Sequence, residues 1–523
     1  MNKLKEKKTI FLSHLFHHLD GIALIPTITS LESKKILSDF RNTTLSSLAK
    51  KHDANIGYLH VALRLLCSQG ILTQKIRTNN DVDFIINENK VNFEKIIKTY
   101  EIVTPLYSEY IDYSLLISQS NENQVSNSQL FKTIQQYLEK YELNKKKSLF
   151  ERHVEGAILG PIIVTLSMHG CFNNLDTNNW SKSINIHWKK NIHKLFLCCG
   201  IIETNGVITD YGLFILKRAS SYGVTVSYLP TFRNIKNLLF GDYTLLLSGN
   251  GEEEKHVDRA MNVWGSGGAH NTYFKKVDKI ILDLFNLPIQ QQPKGFIDIG
   301  CGNGKLIEHI FDLIYYQTKR GKQLNKHPLF IVGSDFNYKA LQATKETINK
   351  ADIWAKTAFG DISDPKNLAE RLKKEHQINL EDLLNVRSFL DHNRIYSKPK
   401  NPISTISNST GAFCQKGQKI NNSLLQQNLK EHLEKWYPYL KKYGLLIVEL
   451  HTINPKIAMK KIGKTAITAY DASHGFSDQY IIEYDCFLTT AKEVGLIPDP
   501  IHEYTFPSRE IPIVSINRLI KMM

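Results

Sequence analysis

The stretch Phe296–Ile310, "FIDIGCGNGKLIEHI", decides the fold of this chain. A short apolar run is followed by three glycines at alternate positions and then by a helical pattern; the glycines are Gly300, Gly302 and Gly304. Glycine at such positions lets the backbone turn tightly and approach a ligand that a Cβ atom would exclude. The stretch therefore predicts a strand, a glycine-rich ligand loop and a helix, in that order.

Two residues beside the glycines indicate which kind of ligand the loop holds. Asp298 precedes the first glycine by two positions, where its carboxylate could receive an ammonium group. Lys305 stands where a dinucleotide-binding fingerprint would have its third glycine. The pattern thus fits the zwitterionic tail of an amino acid better than it fits a pyrophosphate.

The sequence around this stretch alternates between β-branched runs and helical segments. The runs are "GFIDIG" (295–300), "LFIVGSD" (329–335), "LLNVRSFL" (383–390) and "GLLIVELH" (444–451). Short apolar strands that alternate with helices are typical of a parallel, doubly wound α/β sheet. Residues 398–424 are polar and are predicted to be a loop inserted into this domain.

Further acidic residues follow the predicted strands. Asp335 ends the second run, where a carboxylate can accept hydrogen bonds from both hydroxyls of a ribose. In the next segment, "AFGDISDP", Asp361 could accept a hydrogen bond from an adenine amino group and Ile362 could cover the ring. Their order along the strand ends predicts a nucleoside site beside the glycine loop.

A polar cluster, "DHNR", follows the fourth predicted strand. Asp391 and His392 belong to it, His451 ends the fifth strand, and Gln479 lies in "SHGFSDQY". Asp391, His451 and Gln479 could converge as a nitrogen and oxygen ligand set that suits Mn²⁺ or Fe²⁺. His392 is an alternative ligand or a general base. In the competing interpretation, His451 binds the substrate or acts as the base with no metal.

Residues 1–250 are predicted to be mostly helical, with two helix-turn-helix units that each carry a wing. The first unit covers 43–87, with a hairpin turn around Asn79 and Asn80, and the second covers 191–219. Such units could bind DNA, but they equally often serve as dimerisation or capping modules, and we favour a lid or dimerisation region. Residues 251–523 then form the α/β domain.

The composition agrees with a globular protein that has an anionic partner. The 523 residues are 42% hydrophobic, and Lys and Arg exceed Asp and Glu by 66 to 51, which gives a net charge of +15. That excess favours nucleic acid, an acidic carrier protein, a phosphorylated substrate or a membrane surface.

The cysteines and the apolar segments indicate a location. The seven cysteines form no Cys-x-x-Cys pair, and an odd number is unusual for a disulfide framework, so we expect a reducing, cytoplasmic compartment. His14, His17, His18 and Asp20 interrupt the apolar run near the N-terminus, which argues against a signal peptide. No membrane span is predicted.

These motifs together resemble those of class I S-adenosylmethionine-dependent methyltransferases, over residues from about 280 to 500. Asp298 and the three glycines match the first motif of that class, Asp335 its ribose acid, and Asp361–Ile362 its adenine contact. The segments "NVWGSGGAHNTYF" (262–274), "VRSFLDHNRIY" (386–396) and "SHGFSDQY" (473–480) resemble more narrowly the C-methyltransferase domains of bacterial polyketide-synthase loading modules of the apratoxin type.

The resemblance implies an activity and roles for the site residues. It implies C-methylation of a malonyl-type acyl group on an acyl carrier protein, with a helical cap that contains winged helices in front of the methyltransferase core. In some members a mononuclear metal acidifies the α-carbon, which would make Asp391, His451 and Gln479 ligands of Mn²⁺ or Fe²⁺. His392 and His451 become the catalytic candidates, and Gly267, Gly268 and His270 part of a lid or of the cofactor rim. The helical cap is also compatible with a homodimer, in which it would serve as the dimerisation region.

Three other functions are compatible with parts of the sequence. O- or N-methylation of a small molecule would need His392 or His451 as a base and no metal. Methylation of RNA or DNA would use the positive charge and the winged helices, but the chain has no Asn/Asp-Pro-Pro-aromatic tetrapeptide and no paired catalytic cysteines. A non-catalytic cofactor sensor would not need the dense polar cluster at the strand ends.

Overall fold

The computed structural model describes residues 2–38, 40–87, 92–141, 146–175, 180–247 and 254–522; for residues 2–4 and 268–272 it describes only the backbone. The chain divides into two compact units. The N-terminal unit comprises Met1–His270, Cys414–Lys419 and Pro455–Asp478, and the C-terminal unit comprises Asn271–Phe413, Ile420–Asn454 and Gln479–Met523.

The first half of the chain is mainly helical. Its elements are α1 (Asn2–Glu32), β1 (Thr43–Thr44), α2 (Leu45–His52), α3 (Ile56–Ser68), β2 (Leu72–Ile76), β3 (Val82–Ile86), α4 (Phe93–Tyr100), α5 (Pro105–Ser108), α6 (Glu122–Asn127), α7 (Gln129–Lys140), α8 (Leu149–Met168), α9 (Ile186–Cys198), α10 (Asp210–Leu216), α11 (Ser220–Ser227), α12 (Leu229–Arg233) and α13 (Ile235–Phe240). None of the helices within the described residues has the length and apolar character that a membrane span requires.

The first predicted winged helix is present. Thr44 caps α2 by accepting a hydrogen bond from the backbone N–H of Ser47 at 3.2 Å. Helix α3 starts at Ile56, as the sequence predicts, and the antiparallel strands β2 and β3 form the wing, with β1 paired to β3. In the second predicted winged helix, residues 191–219, the wing is reduced to a single bridge between Ile202 and Ile208. This bridge lies between α9 and α10.

Helices α1 and α8 pack unusually closely because glycines face the neighbouring helix. A Cβ atom on Gly21 would lie 2.4 Å from the Cα of His153, and one on Gly156 would lie 2.3 Å from the Cα of His18. Any larger residue at either glycine would force the helices apart. The close approach buries the polar side chains of His18 and His153 between the helices.

The second half of the chain alternates between helices and strands. Its elements are α14 (Arg259–Phe285), β4 (Gly295–Ile299), α15 (Lys305–Gln317), β5 (Phe330–Asp335), α16 (Tyr338–Lys350), β6 (Lys356–Phe359), α17 (Pro365–His376), β7 (Leu383–Ser388), β8 (Cys414–Gln415), β9 (Gln418–Lys419), α18 (Asn422–Leu440), β10 (Leu445–Leu450), α19 (Pro455–Lys460), α20 (Ile467–Gly475), α21 (Tyr484–Glu493), β11 (Leu496–Ser508) and β12 (Ile511–Lys521).

The C-terminal unit is built on a seven-stranded sheet with the order β11-β12-β10-β7-β4-β5-β6. Strands β10, β7, β4, β5 and β6 are parallel, whereas β12 pairs antiparallel with β10 and β11 antiparallel with β12. The chain moves outward from β4 to β6 and then crosses to β7 on the other side of β4. In such sheets ligands bind at this switch point, at the carboxyl ends of the strands.

The predicted insertion at 398–424 is more ordered than a simple loop. It contains the short hairpin of β8 and β9, and its last residues belong to α18, which begins at Asn422. The Glu483 carboxylate holds its middle part: it accepts hydrogen bonds from Ser409 Oγ at 2.5 Å and from the backbone N–H of Thr410 at 2.7 Å. The insertion is therefore tied to the segment in front of α21.

Candidate active site

The glycine loop lies between β4 and α15, as predicted. Gly300, Gly302 and Gly304 all have positive φ angles, of +77°, +54° and +76°, which L side chains rarely adopt. A Cβ atom on Gly300 would lie 3.0 Å from two carbon atoms of Leu390, in the loop after β7. At Gly302 the same atom would meet nothing within 4 Å. The start of the loop, at Gly300, therefore lies against Leu390 after β7. The centre of the loop, at Gly302, borders open space.

Two acidic side chains lie beside this loop. Asp298 is buried in β4, and burial together with the nearby Asp335 carboxylate raises its pKa to about 7. Asp335 ends β5 and accepts hydrogen bonds from the backbone N–H groups of Gly302, at 3.1 Å, and Asn337, at 2.9 Å. A buried carboxyl group next to a second carboxylate would be stabilised in its charged form by a cationic ligand.

Asp361 and Ile362 follow the neighbouring strand β6. The backbone N–H of Gly360 donates to the carbonyl of Asp335 at 3.1 Å, which joins this segment to the end of β5. Asp361 is exposed, and its carboxylate accepts from the N–H of Ser363 at 2.7 Å. The Ile362 carbonyl accepts from the Trp436 indole at 2.8 Å. These residues line the same edge as the glycine loop, and their adenine contacts remain a prediction.

The polar cluster after β7 contains a histidine paired with a carboxylate. His392 Nδ1 lies 2.5 Å from Glu449 Oε1, and both side chains are buried. Glu449 also accepts from three backbone N–H groups, those of Asp391 at 2.9 Å, His392 at 3.3 Å and Leu450 at 2.7 Å. A carboxylate oxygen accepts the Nδ1 proton of His392, so in the neutral imidazole Nε2 carries the lone pair.

Asp391 points away from this pair into a second buried group. Its Oδ1 accepts from Arg387 Nη1 at 2.8 Å and from His432 Nε2 at 3.0 Å. Burial alone would raise the pKa of Asp391, but Arg387 and His432 lower it well below its usual value. Oδ2 is buried and has no hydrogen-bond partner within the described residues.

His451 is fully buried and held at both nitrogens. Its Nδ1–H donates to the Ile482 carbonyl at 3.1 Å, and its Nε2 accepts from the Ser515 hydroxyl at 2.8 Å. The rings of Tyr484 and Phe487 pack against the imidazole. Burial lowers the pKa of His451 to about 4, so the ring is neutral at physiological pH. Gln479 is half-buried and precedes Tyr480, whose backbone N–H donates to the His392 carbonyl at 2.8 Å.

The predicted metal ligands have different hydrogen-bond partners in the structure. Asp391 Oδ1 accepts from Arg387 and His432, and His451 Nε2 accepts from Ser515, whereas Asp391 Oδ2 has no hydrogen-bond partner within the described residues. A divalent cation next to the buried Arg387 guanidinium would also be repelled. Across the described residues, no group of three or more His, Cys, Asp or Glu side chains could hold a metal ion. The structure therefore does not support a metal at Asp391, His451 and Gln479, and their assignment as ligands stays a prediction.

The predicted lid or rim residues and the partner of His392 are the remaining parts of the site. Gly267, Gly268 and His270, predicted to be part of a lid or of the cofactor rim, lie in α14, but only the backbone of Gly268 and His270 is described. Sequence reasoning missed the partner of His392. A charged Glu449 inside the otherwise apolar run "LLIVEL" was the available signal, because a strand buried on both faces admits such a residue only when it is paired.

A parallel sheet with a glycine loop and acidic residues at successive strand ends is the arrangement expected of a class I S-adenosylmethionine-dependent methyltransferase. Residues 254–517 match the family described as the AprA MT2-like domain, a methyltransferase family. Residues 11–74 match the AprA N-terminal domain, and residues 155–242 match the AprA winged helix domain. The chain belongs to the AprA MT2-like family and is an S-adenosylmethionine-dependent methyltransferase.

Among solved structures, the chain matches several methyltransferases, all at low sequence identity and with TM-scores below 0.5. The CurJ carbon methyltransferase is 11% identical, with 77% of this chain and 100% of that chain covered and a TM-score of 0.33. The citrinin polyketide synthase CMeT domain is 11% identical, with 83% and 98% covered and a TM-score of 0.32. An O-methyltransferase family protein from Burkholderia thailandensis is 11% identical, with 68% and 93% covered and a TM-score of 0.37. No curated protein sequence matches the chain.

Proposed function

We propose that this methyltransferase methylates the α-carbon of a malonyl-type acyl group on an acyl carrier protein, with His392 as the general base. The observation that carries the proposal is the buried pair of His392 and Glu449 at the carboxyl ends of β7 and β10. Leu390, two residues before His392, borders the glycine loop at Gly300, so the base lies close to the cofactor loop. The family supports the choice of substrate.

The proposed cofactor site uses the residues at the ends of β4, β5 and β6. S-adenosylmethionine, when bound, supplies an electrophilic methyl group. Asp298 would face its ammonium group, Asp335 its ribose hydroxyls, and Asp361 with Ile362 its adenine. Gly302 would leave room for the ligand, because a side chain would project into the open space beside the loop.

The proposed reaction begins with proton removal. His392 Nε2 takes the acidic α-proton of the acyl group, and the Glu449 carboxylate stabilises the imidazolium that forms. The resulting enolate carbon bonds to the methyl group as the bond between methyl and sulfur breaks, which leaves S-adenosylhomocysteine. The proton then passes from His392 to solvent. Fixed alignment of base, carbon and methyl group supplies much of the remaining acceleration.

We propose that His451 positions the site. Its two hydrogen bonds link β10 to Ile482 and to β12, and its neutral ring is already saturated in the described structure. The metal set of Asp391, His451 and Gln479 is the alternative, in which a Mn²⁺ or Fe²⁺ ion would acidify the substrate. It would require His451 to give up one of its two hydrogen bonds, and it would place a divalent cation beside the buried Arg387 guanidinium, so the proposed route uses no metal.

A transfer assay with labelled methyl groups tests the proposal. Chelator-treated protein would be incubated with radiolabelled S-adenosylmethionine and malonyl-loaded carrier protein, with and without Mn²⁺ or Fe²⁺. We expect transfer without added metal, and its loss in His392→Ala. The control is His502→Ala, because His502 is another buried histidine of the same unit, held by Asp499 at 2.9 Å and Asp283 at 2.9 Å.

Each other outcome selects a different function. Transfer only with metal would support the proposed substrate and would favour Asp391, His451 and Gln479 as metal ligands. Transfer to small hydroxylated or amine acceptors, but not to the carrier protein, would favour O- or N-methylation, for which His392 could serve equally as a base. Transfer to RNA or DNA alone would overturn the proposed substrate class, although the net charge of +15 would suit it.

A further inference from the structure

The N-terminal unit contains a cavity that the methyltransferase reaction does not use. It has a volume of about 310 Å³, close to the lower end of small-molecule sites, which run from about 300 to 1,000 Å³. Residues of α1, of the start of α8 and of the segment before α20 line it: Ile10, Ser13, His14, His17, Lys147, Leu149, Arg152 and Ile462. The lining combines basic and aliphatic side chains.

Two permanent cations line the cavity, and they share one carboxylate. Lys147 Nζ contacts Glu155, and Arg152 Nη1 donates to Glu155 Oε1 at 2.7 Å. Glu155 is fully buried and also accepts from the Tyr137 hydroxyl at 3.0 Å. The bond to Glu155 is the one hydrogen bond that the Arg152 side chain makes within the described residues. The positive charge of this group is therefore only half compensated.

Two histidines of α1 add polar atoms without partners. His14 and His17 are three residues apart, so both lie on the same side of the helix. Their Nδ1 atoms are buried and have no hydrogen-bond partner in the part of the chain that the structure describes. Burial first, and then nearby Arg152 and His18, lower the pKa of His14 to about 3. Neutral imidazoles with unsatisfied nitrogens are costly unless a ligand supplies the missing partner.

The aliphatic lining of the cavity indicates that the ligand also has an apolar part. Ile10, Leu149 and Ile462 form the aliphatic part of the cavity, which suits a short hydrocarbon group. The cavity also borders the N-terminus of α8, a helix of 20 residues whose dipole favours a negative charge. A bare inorganic ion would satisfy the basic part alone.

We propose that this cavity binds a small organic anion, with a carboxylate or phosphate head against Arg152, Lys147 and the two histidines. A short aliphatic group of the ligand contacts Ile10, Leu149 and Ile462. All residues that line the cavity belong to the N-terminal unit, and the proposal does not depend on the substrate proposed for methyl transfer.

Calorimetric titration of the full chain tests the site. The probes are hexanoate, hexyl phosphate, inorganic phosphate and, as the uncharged control, hexanol. We expect saturable binding of hexanoate or hexyl phosphate, and weaker or absent binding of hexanol and of inorganic phosphate. Preference between the two organic anions then shows whether the head group is a carboxylate or a phosphate.

Variants connect the binding to the cavity. Arg152→Gln should weaken binding of the preferred anion by about tenfold or more, the effect expected when one charge-assisted hydrogen bond is lost. The double variant His14→Leu, His17→Leu should weaken it as well, and it removes no hydrogen bond made within the described chain, so it decides the matter if Arg152→Gln fails to fold. Arg77→Gln is the matched control, because Arg77 pairs with Asp83 in the same unit but outside the cavity.

Three results would overturn the proposal: no saturable binding of either organic anion, equal binding of hexanol, or unchanged affinity in a folded Arg152→Gln protein and in the double variant. Loss of methyl transfer has no bearing on these measurements, since they record binding alone.

Discussion

At the scale of single residues, the proposed function depends on the pair of His392 and Glu449. The sequence predicts His392 at the rim of the site, because it follows a buried strand directly. It does not predict Glu449 as the partner, since the two residues are 57 positions apart and meet only when β7 and β10 lie side by side. Local sequence patterns report strand ends well, but they do not report which side chains meet across neighbouring strands.

Replacing Glu449 by Gln should reduce methyl transfer by about 10²-fold or more, the usual contribution of an oriented general base. The amide would no longer stabilise the imidazolium, and it could turn a donor toward Nδ1 and so select the wrong tautomer. Single-turnover rates and cofactor affinity should be measured together, because the affinity should stay within a few-fold of the wild type.

The control for this variant is Glu503→Gln. Glu503 is also a partner of two side chains in the C-terminal unit, Tyr484 and Arg509, but lies on β11. A rate equal to that of the wild type in Glu449→Gln would remove the carboxylate from the mechanism.

The raised pKa of Asp298 predicts a pH dependence of cofactor binding. In the free protein this carboxyl group has a pKa of about 7, and a bound ammonium group would lower that value. Protons therefore leave Asp298 on binding, so the affinity for S-adenosylmethionine should rise as pH increases through 7 and level off above it. Titrations between pH 6 and 8 measure this slope.

Asp298→Asn should bind the cofactor more weakly and with a flatter pH profile over the same range. The same replacement should stabilise the free protein at neutral pH, because the ionised form of a buried carboxyl group with a raised pKa opposes folding. An unchanged slope in the variant would show that another group releases the proton.

At the scale of elements, the glycine loop allows folding and ligand binding to be separated. Gly302→Ala places a side chain into open space at a positive φ, so the cost in stability should be about 1 kcal/mol. Cofactor affinity should fall far more, because the methyl group would take up ligand space. Thermal unfolding and equilibrium binding measure the two effects.

Gly295→Ala is the contrasting variant. A Cβ atom there would lie 1.7 Å from the Phe330 carbonyl oxygen, so β4 and β5 could not keep their pairing. This variant should be strongly destabilised. If Gly302→Ala lost stability to a similar extent and kept its affinity, the loop would be structural and would not contact the ligand.

The insertion at 398–424 is the second element with a testable role. Glu483→Ala would remove the acceptor for Ser409 and Thr410, so amide exchange should increase from 404 to 413 while the strands of the sheet keep their protection. Hydrogen exchange with mass spectrometry measures this difference. Equal protection of the segment in both proteins would mean that other contacts hold it.

The elements show where sequence patterns were sufficient. The alternation of apolar runs located β4, β5, β7 and β10, because strands buried on both faces have a continuous apolar signature. The same patterns did not reveal the antiparallel pair of β11 and β12 at one edge, since the polar residues and prolines of β11 hide the strand periodicity. They also placed the end of the insertion two residues beyond the start of α18.

At the scale of the whole molecule, the order of the motifs predicted the family, and the pairing of distant segments required the structure. Residues 414–419 and 455–478 belong to the N-terminal unit although they lie within the methyltransferase half of the sequence. No change in composition marks the points where the chain passes from one unit to the other. The net charge of +15 is a property of the entire chain and agrees with an acidic carrier protein as the partner.

The position of the transferred methyl group tests the central claim most directly. The protein would be incubated with S-adenosylmethionine that carries a ¹³C-methyl group and with malonyl-loaded carrier protein, and the released acyl group would be studied by NMR. We expect the label on the α-carbon, coupled to the proton that remains there, and no labelled product with His392→Ala. A label on oxygen or nitrogen, or full α-methylation by His392→Ala, would contradict the account.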